Sequence, residues 1–158
     1  MFDLERLLGT FVSHDVKFVV VGGVAAALQG VPIATQDVDI LYLIEEENLV
    51  KLEHALDELN AVARGDQSNL RFDLNHLRTK GHKLATTDAG PLDVLGSINE
   101  NLGYQDLIAS ADELEVAGHR IRVLSLEHLI ELKRELGRPK DRAMLPVLEA
   151  TLRERERR

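Results

Sequence analysis

The chain of 158 residues contains no cysteine, no tryptophan and only four prolines. Without cysteine, the sequence excludes disulfides, thiol catalysis and cysteine-based zinc sites. Aromatic residues make up only 4% of the chain, so few side chains can stack on the bases of single-stranded nucleic acid. No apolar run approaches the roughly 18 residues that a membrane-spanning helix needs. The first residues lack the basic-then-apolar plan of a signal peptide, and we therefore expect a cytoplasmic protein with no membrane partner.

The motifs of several common enzyme classes are also missing. There is no Gly-x-x-x-x-Gly-Lys-Ser/Thr loop and no Gly-x-Gly-x-x-Gly run, which argues against P-loop and classical dinucleotide-binding enzymes. The six histidines form no His-x-x-x-His or His-Glu-x-x-His pair, which argues against a zinc site. No serine lies in a Gly-x-Ser-x-Gly elbow, so serine hydrolysis is not supported.

Acidic side chains outnumber basic ones, and the net charge is −8. Residues 1–119 hold 8 basic and 20 acidic side chains, whereas residues 120–158 hold 11 basic and 7 acidic ones. The acidic body argues against broad binding of polyanions. The basic end is typical of a solvated helix terminus, although it could also contact phosphate or an acidic partner.

Hydrophobic residues make up 44% of the chain, which is enough for the core of one domain. The periodicity and turn signals predict an α/β fold, a small mixed twisted sheet flanked by helices, with further helices at the C-terminal end. We expect a single domain over residues 1–158, with an α/β core over 1–124 and a helical extension over 125–158. Predicted strands cover 17–21, 36–43, 82–86, 92–95, 113–117 and 119–123. Predicted helices cover 4–14, 24–29, 45–59, 104–111, 125–136 and the residues from 139 onward, and residues 60–81 show no clear pattern.

Three acidic residues stand where buried strands are expected. Asp37 and Asp39 are two apart in the second strand, so their side chains share one face. Two like charges about 6 Å apart repel by roughly 3 kcal/mol at an effective dielectric of about 20, which favours a cation between them. Asp93 is a lone acid in the apolar segment 91–95, and we expect it to join the same site. Three such carboxylates could hold one or two Mg²⁺ ions and stabilise displacement at phosphorus.

A Gly-Gly turn follows the first predicted strand. Gly22 and Gly23 have no side chain, so a ligand can approach their backbone closely, and the helix after them offers unpaired N–H groups to an anion. Thr35 precedes the acidic strand and could bind substrate or only form a hydrogen bond at the strand entry. Alone, each of these features is common in turns; together with the three acids they favour a site for a metal ion and phosphate.

In this order, the two glycines, Thr35, the Asp37-x-Asp39 pair and Asp93 resemble the polymerase-beta-type nucleotidyltransferase superfamily. The similarity is strong over residues 17–44 and moderate over 82–97. The branch that the chain resembles most is that of the minimal nucleotidyltransferases, which include members of toxin–antitoxin and abortive-infection systems. The segments 125–133 and 137–141 resemble the C-terminal helices of that branch. The resemblance implies catalytic and metal-binding roles for Asp37, Asp39 and Asp93, and nucleotide-binding roles for Gly22, Gly23, Thr35, Lys133 and Lys140.

We therefore expect an enzyme that uses Mg²⁺ or Mn²⁺ to transfer a nucleoside monophosphate from a nucleoside triphosphate, ATP above all, to an acceptor hydroxyl. A small molecule or a protein is favoured as the acceptor over nucleic acid, although an antibiotic, a protein hydroxyl and a tRNA end all stay open. Many relatives carry Arg where this chain has Ile33 and Ser where it has Val24. These departures motivate an alternative, a catalytically weak relative that binds a partner in a toxin–antitoxin-type system. The partner would be a small helical protein or a second copy of the chain.

Overall fold

The computed structural model describes all residues, from Met1 to Arg158. The strands are β1 Phe18–Val21, β2 Val38–Tyr42, β3 Val62–Ala63, β4 His82–Thr87, β5 Gly90–Leu95, β6 Asp112–Val116 and β7 His119–Val123. The α-helices are α1 Leu4–Ser13, α2 Gly22–Leu28, α3 Glu46–Glu58, α4 Leu74–Leu77, α5 Tyr104–Leu107, α6 Leu126–Leu136 and α7 Pro139–Glu156. A short 3₁₀ helix covers Ile108–Ser110. None of the helices combines the length and the apolar character that crossing a membrane requires.

The seven strands form one mixed sheet in the order β3-β4-β5-β2-β1-β7-β6. Strands β2 and β5 are parallel, as are β1 and β7, and the other neighbouring pairs are antiparallel. The predicted α/β fold with a mixed sheet and flanking helices is therefore confirmed. The parallel pairing of β2 with β5 places Asp39 and Asp93 side by side.

The core is a single cluster of 39 buried residues that draws on the sheet and on helices along the whole chain. All four residues of β1 are buried, as expected for an apolar strand in the middle of a sheet that is covered on both faces. Helix α1 buries Leu7, Leu8 and Phe11, and the Asp3 side chain accepts a hydrogen bond from the Arg6 backbone N–H at its start.

Two segments differ from the prediction made from the pattern. Helix α2 begins at Gly22 directly after β1, so the two glycines form its first turn and do not separate it from the strand. The unclassified segment 60–81 contains β3 and α4. Strand β3 lies at one edge of the sheet, next to β4, and carries the chain back towards the acidic strands.

The C-terminal helices α6 and α7 pack on each other and are joined by a buried acid. Ser125 caps α6, and Gly137 ends it in a left-handed conformation with φ of 61°. Asp141 in α7 is fully buried and accepts hydrogen bonds from Arg138 Nε at 2.6 Å and from Lys133 Nζ at 3.1 Å. Leu126 and Leu148, one from each helix, belong to the single core cluster. The division into an α/β core and a helical extension stays a prediction.

We expect Asp141→Asn to lower the free energy of unfolding by about 1–3 kcal/mol at pH 7, because two cations lose a charged hydrogen-bond partner. The hydrogen bond from Arg138, aided by Lys133 and opposed by burial, holds the pKa of Asp141 well below its usual value. This stabilisation is present above the usual carboxyl pKa of about 4 and is lost as the pH falls further. Urea unfolding at pH 7 measures the loss. The control is Asp57→Asn, which removes an exposed carboxylate on α3, and equal midpoints for the two variants would contradict the expectation.

Candidate functional site

Asp39 and Asp93 lie side by side on the central parallel strands. The register pairs Asp39 of β2 with Asp93 of β5, and neighbouring strands are about 4.8 Å apart. Asp37 comes immediately before β2, and its charge acts on Asp39. The structure therefore brings the three predicted carboxylates together. Acidic residues with no shared role in a globular domain would have no reason to lie so close to one another.

Asp39 carries the strongest electrostatic perturbation of the three. Burial raises its pKa from 3.8 to about 7, together with the charge of Asp93, a hydrogen bond with Asp93 and the charge of Asp37, while Arg64 lowers it. One of its oxygens, Oδ1, is buried without a hydrogen-bond partner. A buried acceptor without a donor is costly, so this oxygen favours a proton or a cation beside it.

Arg64, directly after β3, lies between two of the carboxylates. Its guanidinium donates a hydrogen bond to Asp93 Oδ1 at 2.7 Å and another to the carbonyl of Ala85 at 2.9 Å. The same guanidinium is 3.8 Å from Asp37 Oδ2. The sequence reasoning missed Arg64, because the residue lies in the segment 60–81, which carries no periodic pattern.

The donor set fits a hard divalent cation, although the side chains are not closed around one point. Carboxylate oxygens are the ligands that Mg²⁺ and Mn²⁺ prefer, and the unpartnered Oδ1 of Asp39 is available for such a bond. No group of three or more acidic, histidine or cysteine side chains is arranged to surround a metal ion. The guanidinium of Arg64 lies beside two of these acids, Asp93 and Asp37.

The predicted glycine turn lies against the acidic strand. Val21, the last residue of β1, is paired with Asp39, so Gly22 follows at the same end of the sheet. Gly22 has φ of 68°, and a Cβ at this position would overlap Asp39 Oδ2. A Cβ on Gly23 would lie 2.8 Å from Thr35 Oγ1, and the Thr35 hydroxyl donates a hydrogen bond to the Asp37 carbonyl at 3.1 Å. Both glycines are thus required by close packing around Asp39 and Thr35.

A cavity of about 200 Å³ opens beside this turn. Its polar lining residues are Asp39, His82, Lys133 and Arg138, and the remaining wall is Gly22 and apolar side chains. Lys133 is therefore near Asp39, although its ammonium also donates to Asp141. Lys140 is exposed on α7, with no side-chain hydrogen bond and no ion pair. A cavity of about 240 Å³ between Tyr42 and Asp106 contains none of the predicted site residues.

The family comparison decides the broad class of the protein. The family described as "Nucleotidyl transferase of unknown function (DUF2204)" matches residues 1–158, the whole chain. The chain belongs to this nucleotidyltransferase family. The resemblance to the polymerase-beta-type nucleotidyltransferase superfamily is thereby confirmed, as is the prediction of an enzyme. A nucleotidyltransferase acts on a nucleoside triphosphate.

Solved structures with the same fold are also described as nucleotidyltransferases. TM1012 from Thermotoga maritima, a candidate nucleotidyltransferase, is 24% identical over 92% of this chain and 93% of its own, with a TM-score of 0.58. ANT(2")-Ia in complex with adenylyl-2"-tobramycin is 15% identical over 94% of this chain and 87% of its own, with a TM-score of 0.62. A solution structure of ANT(2'')-Ia, described as an antibiotic-resistance factor, is 17% identical over 97% of this chain and 90% of its own, with a TM-score of 0.53. No curated protein matches this nucleotidyltransferase significantly. At these identities the structures establish the fold, and the family does not favour the alternative of a catalytically weak binding partner.

Proposed function

We propose that this nucleotidyltransferase uses Mg²⁺ to move a nucleoside monophosphate from ATP or a related triphosphate to an acceptor hydroxyl. The observation that carries the proposal is the register of Asp39 with Asp93, which places two carboxylates side by side on buried parallel strands. Asp37 extends the cluster at the start of β2. The unpartnered Asp39 Oδ1 supplies a position where a cation would replace a proton.

Asp37, Asp39 and Asp93 would hold Mg²⁺, or Mn²⁺, through their oxygens. When bound, the metal would neutralise charge on the triphosphate and on the leaving group. Asp39 would bind it as the carboxylate and would first have to lose the proton that burial and the neighbouring acids retain near neutral pH. The chain's contribution is to fix these three acids at one end of the sheet.

The reaction forms one bond to phosphorus and breaks another. The acceptor oxygen bonds to the α-phosphorus while the bond from the α-phosphorus to the bridging oxygen breaks, and pyrophosphate leaves with the electron pair. Asp93 is the proposed base that takes the acceptor hydroxyl proton; it lies beside Asp39 in the sheet, and its side chain is 15% exposed. Positioning and charge neutralisation would supply most of the rate enhancement.

The cavity beside Gly22 is the proposed place for the triphosphate. Gly22 lines this cavity, and Gly23 packs against Thr35 on the same turn, so the proposed role of all three residues is to shape the turn beside the triphosphate. Lys133 lines the cavity and could turn its ammonium towards phosphate. Lys140 is exposed on the next helix and would reach the phosphate only from solvent.

A small molecule is the proposed acceptor class, with a protein hydroxyl next. The structurally similar ANT(2")-Ia was solved with adenylyl-2"-tobramycin, an adenylylated small molecule, which supports both ATP and a small acceptor for the shared fold. The low aromatic content and the acidic body of the chain are poorly suited to nucleic acid. We further propose a cytoplasmic protein that folds as a single domain. A toxin–antitoxin context and a small helical partner or homodimer stay hypotheses.

Transfer of label from ATP labelled at the α-phosphate tests this function. Incubation with Mg²⁺ and separate pools of small hydroxylated compounds, proteins and tRNA should label one pool and release pyrophosphate. Asp93→Asn should lower the rate by about 10²- to 10³-fold, because it removes both a metal ligand and the base. Glu115→Gln is the matched control, since it removes an exposed charge on the edge strand β6. Equal rates for the wild type and Asp93→Asn would contradict the proposed site.

A further inference from the structure

Arg64 is the one cation that contacts the carboxylate cluster directly. The guanidinium holds Asp93 Oδ1 at 2.7 Å and lies 3.8 Å from Asp37 Oδ2. The Arg64 backbone N–H donates to the carbonyl of Leu84 at 2.9 Å, so the main chain at this position is fixed against β4. Its side chain is 30% exposed and has a route to solvent.

The hydrogen bonds of Arg64 are incomplete in the position it occupies. Its Nε is buried without an acceptor, and one of its two acceptors, the Ala85 carbonyl, is an ordinary backbone group. A guanidinium usually binds a carboxylate with two parallel N–H bonds, whereas here a single close bond reaches Asp93. The Arg64–Asp93 contact therefore pairs opposite charges through one hydrogen bond instead of two. Few hydrogen bonds would break if the Arg64 side chain moved away.

Arg64 and a divalent ion would compete for the same carboxylate oxygens. A metal at Asp93 Oδ1 would lie within a few ångströms of the guanidinium, and two cations that close repel strongly in a partly buried site. The three acids form no closed ligand group, and the guanidinium lies beside two of them.

We propose that Arg64 is a positioning residue that acts as the counter-ion of the metal-free site and competes with the divalent metal for Asp93. The inference rests on the proposed metal-dependent function and adds a residue to it. In the metal-free protein Arg64 balances the clustered acids and ties β3 to β5. On metal binding the side chain leaves Asp93, Asp93 turns towards the ion, and the freed guanidinium reaches solvent or the incoming substrate.

Titration of the full chain with Mn²⁺ alone, followed by electron paramagnetic resonance of the free ion, tests this competition. Arg64→Gln should bind Mn²⁺ about tenfold more tightly than the wild type, the change expected from removal of one charge-assisted hydrogen bond. Arg64→Lys keeps the positive charge and should stay within about threefold of the wild-type affinity. Arg71→Gln is the control, because it removes the same charge from an exposed side chain that is paired with Asp57.

The outcomes separate the inference from the function on which it rests. The competition is supported if Arg64→Gln is the only variant that binds Mn²⁺ more tightly than the wild type. The same holds if binding by the wild type is too weak to detect. Equal or weaker binding by Arg64→Gln, with binding by the wild type, overturns the inference and leaves the proposed function standing. No binding by any variant overturns the metal-dependent function and the inference with it. If Arg64→Gln fails to fold in circular dichroism, Arg64→Met takes its place, and affinity no tighter than that of the wild type counts against competition.

Discussion

Asp39→Asn should abolish nucleotidyl transfer and at the same time make the metal-free protein more stable. Asp39 is the most perturbed of the three acids, with a pKa raised to about 7 by burial and by Asp93 and Asp37. Asparagine removes the cost of a buried negative charge next to two others. We expect turnover to fall by about 10³-fold and the free energy of unfolding at pH 8 to rise by about 1–3 kcal/mol.

The stability gain has a defined dependence on pH. Between pH 3.8 and about 7 the folded chain holds a proton on Asp39 that the unfolded chain releases, so stability falls as the pH rises through this interval. The Asp39→Asn variant has no ionisable group at this position, so it does not lose stability in this way as the pH rises. The melting temperatures of the variant and the wild type should therefore be close at pH 4 and differ by about 2–12 °C at pH 8 without metal.

Thermal unfolding at pH 4, 6 and 8, without metal and with Mg²⁺ at about 100 times its dissociation constant, which stabilises a folded protein by about 2.7 kcal/mol, measures both effects. Mg²⁺ should raise the melting temperature of the wild type and leave that of Asp39→Asn unchanged. Glu115→Gln serves again as the control for a changed net charge. A lower melting temperature for Asp39→Asn than for the wild type at pH 8 would mean that the attraction of Arg64 for the Asp39 carboxylate outweighs burial and the repulsion from Asp93 and Asp37, which would contradict the expectation.

Gly22→Ala is expected to disable the site by displacing Asp39. The new Cβ would overlap Asp39 Oδ2, and the position has φ of 68°, which side chains rarely adopt. The strain alone costs about 1–2 kcal/mol. We expect turnover to fall by about 10²-fold or more, because a small displacement of a positioned group costs a factor of that size.

The control separates strain from displacement. Gly118 in the β6–β7 hairpin has φ of 83°, and a Cβ there meets no atom within 4 Å. Gly118→Ala should lose a similar amount of stability in urea unfolding and keep its turnover. If both variants keep full activity, Gly22 does not hold Asp39 in a required position, and its role in the nucleotide site is wrong.

The central part of the fold and the acidic cluster could be read from local patterns. The run of Val residues in β1 and the lone acids among apolar neighbours in β2 and β5 are strong local signals, because a buried strand tolerates a carboxylate only for a reason. The order of Asp37, Asp39 and Asp93 along the chain was enough to suggest that they meet. Local patterns do not give the register that places Asp39 directly beside Asp93, because the pairing of strands in the sheet sets it.

Arg64 could not be found in this way. Its contact with Asp93 spans 29 residues of sequence, and Ala63 and Gly65 beside it carry no periodic or motif signal. Strand β3 has only two residues and is defined by its pairing with β4, so its place at the sheet edge depends on tertiary structure. The start of α2 at Gly22 could not be predicted for a different reason. Glycine is a poor helix former, so the two glycines favoured a break between β1 and the helix.

Calorimetric titration with α,β-methylene ATP, a non-hydrolysable analogue, in the presence and absence of Mg²⁺ measures directly whether nucleotide binding depends on the metal and on the carboxylates. If the three carboxylates form a metal-dependent nucleotide site, the wild type should bind the analogue only with Mg²⁺. Asp39→Asn and Asp93→Asn should weaken that binding by about 10-fold or more, and Glu115→Gln should not. Binding of equal strength by the wild type and both aspartate variants, or binding by the wild type that is independent of Mg²⁺, would mean that the three carboxylates do not form a metal-dependent nucleotide site.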